Sequence, residues 1–179
     1  MIFRALVVLA AALAAGASTL GSPEAAADTT AKVTPWTLKL TETRTHEGGG
    51  SGTFELLGGN AADTDAGTVT FSQGVGRNGK TADGLLFLAV PRTETLKGRH
   101  GTLVIRSSTR VFGVGVREQD DAVSTGTWSI VRGTGRYAGL RGGGGGVGII
   151  SAVPSGSRTC VGFSCYWHSY RYEGRVSGS

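Results

Sequence analysis

A glycine-rich segment at residues 124–148, STGTWSIVRGTGRYAGLRGGGGGVG, constrains the fold more than any other part of the chain. Ser124–Val131 has the alternation of a β-strand, Gly133-Thr134-Gly135 predicts a tight turn, and Tyr137–Leu140 predicts the start of a returning strand. An uninterrupted glycine run, Gly142–Gly146, follows. Glycine at this density suits strands that coil sharply or approach one another closely. The segment therefore predicts a β-hairpin in a tightly curved sheet.

The other periodic segments of the chain alternate with a period of two residues, and none of useful length has the helical period of 3.6. The predicted strands are Trp36–Thr45, Gly52–Leu57, Gly67–Gln73, Gly84–Lys97, Thr102–Val116, Thr125–Val131, Tyr137–Ala152 and Cys160–Val176. Turn-forming residues separate these strands, among them the hairpin-type pair Asn78-Gly79. The pattern predicts one all-β domain, an antiparallel barrel or sandwich of eight strands.

The N-terminal residues 1–27 have the features of a signal peptide. A short segment with one positive charge, Met1–Arg4, precedes the apolar Ala5–Ala15, and Ala25-Ala26-Ala27 supplies small residues for cleavage. Cleavage after Ala17 is the alternative. The apolar run is shorter than the roughly 20 residues that span a bilayer. We therefore expect a secreted protein without membrane association after cleavage, with a flexible leader at 28–34 and a β-barrel domain at 35–179.

The net charge of +5 is spread along the chain. Arg92, Lys97, Arg99, Arg106 and Arg110 follow two predicted strands and the turn between them. They do not interleave with aromatic residues as in a groove that binds nucleic acid. The pattern indicates a solvated basic face, and we expect no nucleic-acid partner.

Cys160 and Cys165 are the two cysteines of the chain. In an exported protein, such a close pair predicts a disulfide that fixes a strand end. The alternative is a zinc site that adds His168, but it needs a fourth ligand, and the cysteine spacing is wider than in most zinc knuckles. We expect the disulfide and no metal.

Two further motifs partly match known cofactor sites. Gly133-Thr134-Gly135-Arg136-Tyr137-Ala138 matches the dinucleotide fingerprint, but the glycines after it exclude the helix that this fingerprint requires. Asp63-Thr64-Asp65-Ala66-Gly67 places oxygen ligands in one loop but lacks the later glutamate of a calcium loop. The sequence therefore predicts no cofactor.

Two segments carry a family resemblance. Gly126–Ile130, Gly133–Gly135 and Tyr137–Leu140 with the glycines that follow, together with Tyr172–Val176, resemble secreted bacterial proteins of the allene oxide cyclase-like and dirigent-like group. The resemblance implies a calycin-like, eight-stranded antiparallel barrel with a central apolar cavity. Members include cyclases, proteins that guide radical coupling and proteins without an assigned role, and the plant members form oligomers. A homo-oligomer is therefore a candidate assembly.

Polar residues on strand faces that should point inward are the candidate site. Glu42 and Arg44 share parity with Trp36 in the first strand, and His168 and Tyr170 share the interior face of the last strand. Because an up-and-down barrel pairs its first and last strands, we expect Glu42 close to His168 or Tyr170. A carboxylate in an apolar cavity has a raised pKa and can exchange a proton.

These positions give the predicted site. Glu42, His168 and Tyr170 are candidate catalytic residues, and the candidate ligand-binding residues are Trp36, Trp128 and Tyr172. The alternative interpretation is an ion pair of Glu42 with Arg44 at the barrel mouth, with the histidine and the aromatic residues serving as packing.

The favoured function is binding of a small apolar or aromatic molecule in the barrel, with no turnover assumed. A cyclase or isomerase acting in the cavity is the first alternative. A secreted interaction or inhibitor module with a filled barrel is the second.

Overall fold

The structure, a computed structural model, describes residues 32–46, 48–59, 63–112, 121–152 and 166–178. The elements described below are strands and a short 3₁₀ turn, Gly135–Tyr137. The strands are β1 (Val33–His46), β2 (Gly49–Leu57), β3 (Asp65–Gln73), β4 (Arg77–Lys80), β5 (Leu86–Gly98), β6 (Gly101–Phe112), β7 (Ala122–Gly133), β8 (Arg141–Ala152) and β9 (Tyr166–Ser177).

Eight of these strands close into an antiparallel barrel. The order is β3-β2-β1-β9-β8-β7-β6-β5, and pairing of β3 with β5 closes the ring. The first half of β5 extends beyond β3 and pairs with β4 instead. This confirms the predicted all-β fold and the predicted pairing of the first and last strands, while β4 is an additional strand in a segment predicted to be a connection.

The barrel interior has an apolar half and a polar half. We call the end where β1 begins and β9 ends the basal end, and the opposite end the upper end. The apolar half is basal and contains Trp36, Leu38, Phe54, Leu56, Val69, Leu96, Leu103, Ile105, Trp128 and Val176, each at most 7% exposed. Along each strand, every second side chain points inward. Nearer the upper end of the same strands, these inward side chains are polar.

The glycines of β8 make room for aromatic rings of β9. Gly146 lies opposite Tyr172 and Gly148 opposite Tyr170 in the β8–β9 register. A Cβ added at either glycine would overlap the ring of its partner. A Cβ added at Gly145 would point into open space, with its nearest neighbouring atom 3.8 Å away. The predicted close approach of strands is therefore present on the inward positions of the glycine run.

Two local predictions were wrong. Tyr137–Leu140 does not restart a strand, because Gly135 and Gly139 have φ values of 59° and 73° that break the extended backbone, and β8 begins only at Arg141. Asn78-Gly79 is not a turn but lies inside β4. The turn that follows is built at Thr81, whose hydroxyl accepts a hydrogen bond of 2.9 Å from the Leu85 amide.

Several predicted features lie outside the described residues. These are the signal peptide 1–27, the first part of the leader and the cysteine pair Cys160 and Cys165. Val33 and Thr34, counted with the leader above, form the start of β1 and pair with Ser177 and Val176. In the part of the chain that the structure describes, no helix has the length and hydropathy needed to cross a membrane.

Candidate functional site

Two acidic residues and one arginine occupy inward positions in the polar half of the barrel. Glu42 lies on β1 at 1% exposure, and Arg92 and Glu94 lie on β5 at 3% and 0%. Arg92 and Glu94 share parity with the core residue Leu96, so the pleat of β5 turns them inward. Burial of charged groups is costly unless they are paired, so their partners decide what the cluster can do.

Arg92 reaches across the barrel interior and joins the two carboxylates. Its Nη2 donates a hydrogen bond to Glu42 Oε2 on β1, and its Nε lies 3.4 Å from Glu94 Oε1. Glu94 Oε1 also accepts a hydrogen bond of 2.8 Å from Ser107 Oγ on β6. The cluster therefore links three regions of the barrel wall, with two carboxyl groups around one guanidinium.

Aromatic rings enclose the guanidinium of Arg92. Its Cζ lies 4.2 Å from the ring centroid of Phe71 and 4.7 Å from that of Tyr170, both within the range of cation–π contacts. The ring of Tyr170 stacks on Tyr172 at 5.7 Å with 5° between the planes. The polar cluster is thus held in an aromatic wall that restricts its conformations.

Burial controls the protonation of the two glutamates. It raises the pKa of Glu94 to about 7, although Arg92 acts in the opposite direction. Burial also raises the pKa of Glu42 above its ordinary value, against the charge and hydrogen bond of Arg92. Near neutral pH the Glu94 carboxyl therefore exchanges a proton readily. A buried carboxyl of this kind has the protonation behaviour of a general acid.

His168 lies beside the cluster in a neutral form. It is paired with Glu42 in the β1–β9 register, and its Nδ1 lies 3.9 Å from Glu42 Oε2, beyond hydrogen-bond distance. Burial, together with the charges of Arg92 and Arg44, lowers the pKa of His168 to about 3. His168 is therefore uncharged over the physiological pH range, and the exchangeable proton of the cluster resides on a glutamate.

The polar cluster has unused hydrogen-bonding capacity. Among the described residues, the buried atoms without a hydrogen-bond partner include Glu42 Oε1, Arg92 Nη1, Glu94 Oε2, Thr109 Oγ1 and Ser124 Oγ. These side chains are on four different strands and all point into the same half of the barrel. An unpaired buried polar group costs about 1–3 kcal/mol, so such a concentration is unusual in a purely structural core.

The structure brings most of the sequence-predicted residues together. Glu42, His168, Tyr170 and Tyr172 line one region, with the His168 and Tyr170 rings 5.7 Å apart. Trp128 lies next to Tyr172 at 6.3 Å, towards the basal end. Trp36 lies apart from the others, against Tyr137 at the basal end. The predicted inward face of β9 is confirmed, while the catalytic and ligand-binding roles remain predictions.

Arg92 and Glu94 are the site residues that sequence reasoning missed. Arg92 was assigned to a solvated basic face, and this is wrong for that residue because its side chain is only 2% exposed. The signal was present in the parity of Arg92, Glu94 and Leu96 on one predicted strand. The spacing of charges along the chain does not distinguish an inward arginine from an exposed one, whereas the alternation of the strand does.

A second buried carboxylate, Asp65, lies at the basal end. Its oxygens accept hydrogen bonds from the Tyr137 hydroxyl at 2.6 Å, from the Ala66 amide at 2.8 Å and from the amides of Arg99 and His100 at 3.1 Å. Although burial acts in the opposite direction, these hydrogen bonds lower the pKa of Asp65 to about 2. Asp65 thereby ties the start of β3 to two connecting loops, a structural role.

Comparison of the chain with protein-family models, curated proteins and solved structures gives no match. The eight-stranded antiparallel barrel implied by the family resemblance is confirmed. Membership of the allene oxide cyclase-like or dirigent-like group has no support from these comparisons and remains a hypothesis.

Proposed function

We propose that the protein binds a small molecule with an aromatic or apolar body and at least one hydrogen-bonding group in the polar half of the barrel. The observation that carries the proposal is the group of unpaired buried polar atoms around Arg92, Glu42 and Glu94. A hydroxyl or carbonyl group of a ligand at this position gains hydrogen bonds that the protein itself leaves unmade.

The surroundings of these atoms suit a flat ligand. Phe71, Tyr170 and Tyr172 present rings on the wall, and the Tyr170 ring packs directly over Gly148 of β8. Aromatic walls with a few convergent polar groups are the usual composition of small-molecule sites. The resemblance to the allene oxide cyclase-like and dirigent-like group supports the same location, because members of that group are expected to use the barrel cavity.

An uncharged aromatic fluorophore, N-phenyl-1-naphthylamine, tests this proposal. We expect its fluorescence to increase in a saturable, 1:1 manner with the purified protein. Ser124→Leu places an apolar side chain at a buried position whose hydroxyl is unpaired, so we expect at least tenfold weaker binding. Ser129→Leu is the matched control, because Ser129 lies on the same strand but is exposed.

Equal binding by the two serine variants, with circular dichroism of the wild type, would place the ligand elsewhere. Absence of binding by the wild type, together with no co-purifying small molecule in native mass spectrometry, would favour the filled-barrel interaction module. Export, homo-oligomerisation and the disulfide of Cys160 with Cys165 stay predictions that accompany the proposal.

A cyclase or isomerase is the second candidate, and the protonation of Glu94 is the observation that favours it. A carboxyl group with a pKa of about 7 beside Arg92 and Glu42 can donate a proton to a bound substrate and then take one back. Cyclisation and isomerisation leave the mass unchanged, so a product would appear as a new chromatographic peak of substrate mass. Glu94→Gln is expected to abolish that peak and, because the amide keeps a hydrogen-bonding group of the same size, to weaken fluorophore binding less than Ser124→Leu does. A peak of wild-type size from this variant would remove Glu94 from the mechanism.

A further inference from the structure

A cleft with a different character lies at the basal end of the barrel. Its volume is about 240 Å³, and residues of β1, of the connection between β7 and β8 and of the end of β9 contribute to it. The lining includes Lys32, Trp36, His100, Arg136, Tyr137 and Leu140. The volume is below the roughly 300–1,000 Å³ of sites for drug-sized ligands, so a molecule of one or two rings is the appropriate size.

Two aromatic rings give the cleft a rigid wall. Trp36 and Tyr137 meet edge to face, with centroids 6.1 Å apart and 76° between the planes. The Tyr137 hydroxyl donates a hydrogen bond to the buried Asp65, which fixes the orientation of its ring. Trp36 and Tyr137 are 7% and 4% exposed, so the cleft reaches only the edges of their rings. Because the Tyr137 hydroxyl is already used, these edges suit contact with an aromatic ligand rather than a hydrogen bond.

The charges of the lining favour an anion. Lys32 and Arg136 are exposed cations, and the side chain of His100 is 25% exposed. Asp63 is the carboxylate among the lining residues, so the lining contains two strongly basic side chains and one acidic side chain. The other nearby carboxylate, Asp65, is covered and committed to the hydrogen bonds of Tyr137 and the loop amides.

We infer that the basal cleft binds a small aromatic carboxylate. The ring packs against Trp36 and Tyr137, and the carboxylate faces the cationic side of the cleft at Arg136 and Lys32. This site is separate from the polar half of the barrel interior, and its ligand differs in charge from the uncharged aromatic molecule used to test that interior. The inference therefore stands independently of the proposed function.

A titration with 2-naphthoate and with its uncharged counterpart 2-naphthamide tests the inference. The backbone amide signals of residues 135–140 are followed in ¹H–¹⁵N NMR spectra of the ¹⁵N-labelled protein. We expect 2-naphthoate to shift these signals saturably and 2-naphthamide to bind at least tenfold more weakly. The two probes have the same rings, so this difference measures recognition of the carboxylate.

Matched arginine variants locate the anion. Arg136→Gln is expected to weaken 2-naphthoate binding about fivefold or more. Arg106→Gln removes an equal charge from an exposed position of β6 that does not line the cleft, and we expect wild-type affinity.

Three outcomes would overturn the inference. The first is equal affinity for naphthoate and naphthamide. The second is an equal loss in the two arginine variants, which would indicate a general effect of net charge. The third is a set of shifted signals confined to the polar half of the barrel, around Arg92 and His168. Failure of fluorophore binding in the interior has no bearing on these results, so the two proposals fail separately.

Discussion

Asp65 and Glu94 are both covered carboxyl groups, 1% and 0% exposed, but their pKa values move in opposite directions. Asp65 accepts hydrogen bonds on both of its oxygens, and these keep it ionised. Glu94 has one oxygen near Arg92 and Ser107 and one without a partner, so burial dominates and favours its protonated form. Whether both carboxyl oxygens have hydrogen-bond partners, rather than burial alone, therefore distinguishes a structural carboxylate from a candidate functional one.

The largest expected effect on stability comes from removing Asp65, the structural carboxylate of the two. Asp65→Ala leaves three backbone amides and one phenol without their acceptor, and we expect the free energy of unfolding at pH 7 to fall by about 4 kcal/mol. The pKa of Asp65 is lowered from 3.8 to about 2, so its ionised form stabilises the fold above pH 3.8. This part, about 2 kcal/mol, is lost as the pH falls towards 2.

Denaturant unfolding of the wild type and Asp65→Ala between pH 2 and 7 measures both quantities. Asp121→Ala, at an exposed position, is the control and should lie within about 0.5 kcal/mol of the wild type. A gap between the wild type and Asp65→Ala that stays constant down to pH 2 would contradict the lowered pKa.

The second prediction concerns Glu94, whose contribution to stability changes with pH in the opposite direction. Its pKa is raised from 4.5 to about 7, so its contribution to stability is fully present below pH 4.5 and is lost as the pH rises through about 7. Glu94→Gln does not ionise and escapes this loss. Between pH 4.5 and 8 we expect the stability of the variant relative to the wild type to rise by on the order of 3 kcal/mol.

The control for this titration is Glu55→Gln. Glu55 is exposed on β2, in a surface ion pair with Lys39 that contributes at most about 1 kcal/mol, so this variant should stay within that amount of the wild type. If Glu94→Gln behaved like Glu55→Gln, Glu94 would be an ordinary ionised carboxylate, and the contrast with Asp65 would disappear.

The third prediction tests the wall that holds the polar cluster. Gly146→Ala places a methyl group against the ring of Tyr172, which is 1% exposed, so the ring must shift to admit it. We expect a loss of about 2 kcal/mol in the free energy of unfolding and weaker fluorophore binding. Gly145→Ala, one residue earlier, adds its methyl group in open space and should cost less than about 1 kcal/mol. Equal losses would mean that the glycine run acts through backbone freedom alone.

The smallest expected effect comes from Ser107, which donates a hydrogen bond to Glu94. This bond lowers the pKa of Glu94, so Ser107→Ala is expected to raise that pKa and to cost about 1 kcal/mol of stability. Infrared titration of the protonated carboxyl band reports the pKa directly. Ser108→Ala, exposed on the same strand, should leave the band unchanged. A lower pKa of Glu94 in the Ser107→Ala variant would contradict the prediction, because it would mean that another group stabilises the ionised form of Glu94.

Strand periodicity explains how much of the site could be predicted. Parity alone placed Glu42, His168, Tyr170 and Tyr172 on interior faces, and barrel closure placed β1 beside β9. The same rule applied to β5 predicts an inward Arg92. Tyr137 could not be placed in this way, because its inward position depends on a 3₁₀ turn and on Asp65, which is 72 residues away in the chain.

The sequence by itself determined the all-β class and the faces of most strands, because the alternation of side chains is a local property of each strand. Closure of the sheet into a barrel depends on the pairing of β3 with β5, which the tertiary structure decided. Only the tertiary structure decided which charges meet. Arg92 and Glu42 are 50 residues apart and lie on strands that are not neighbours in the barrel, so no local pattern relates them. Their meeting opposes the effect of burial on the pKa of Glu42, because interactions between buried groups depend on distance through space and on the surrounding dielectric.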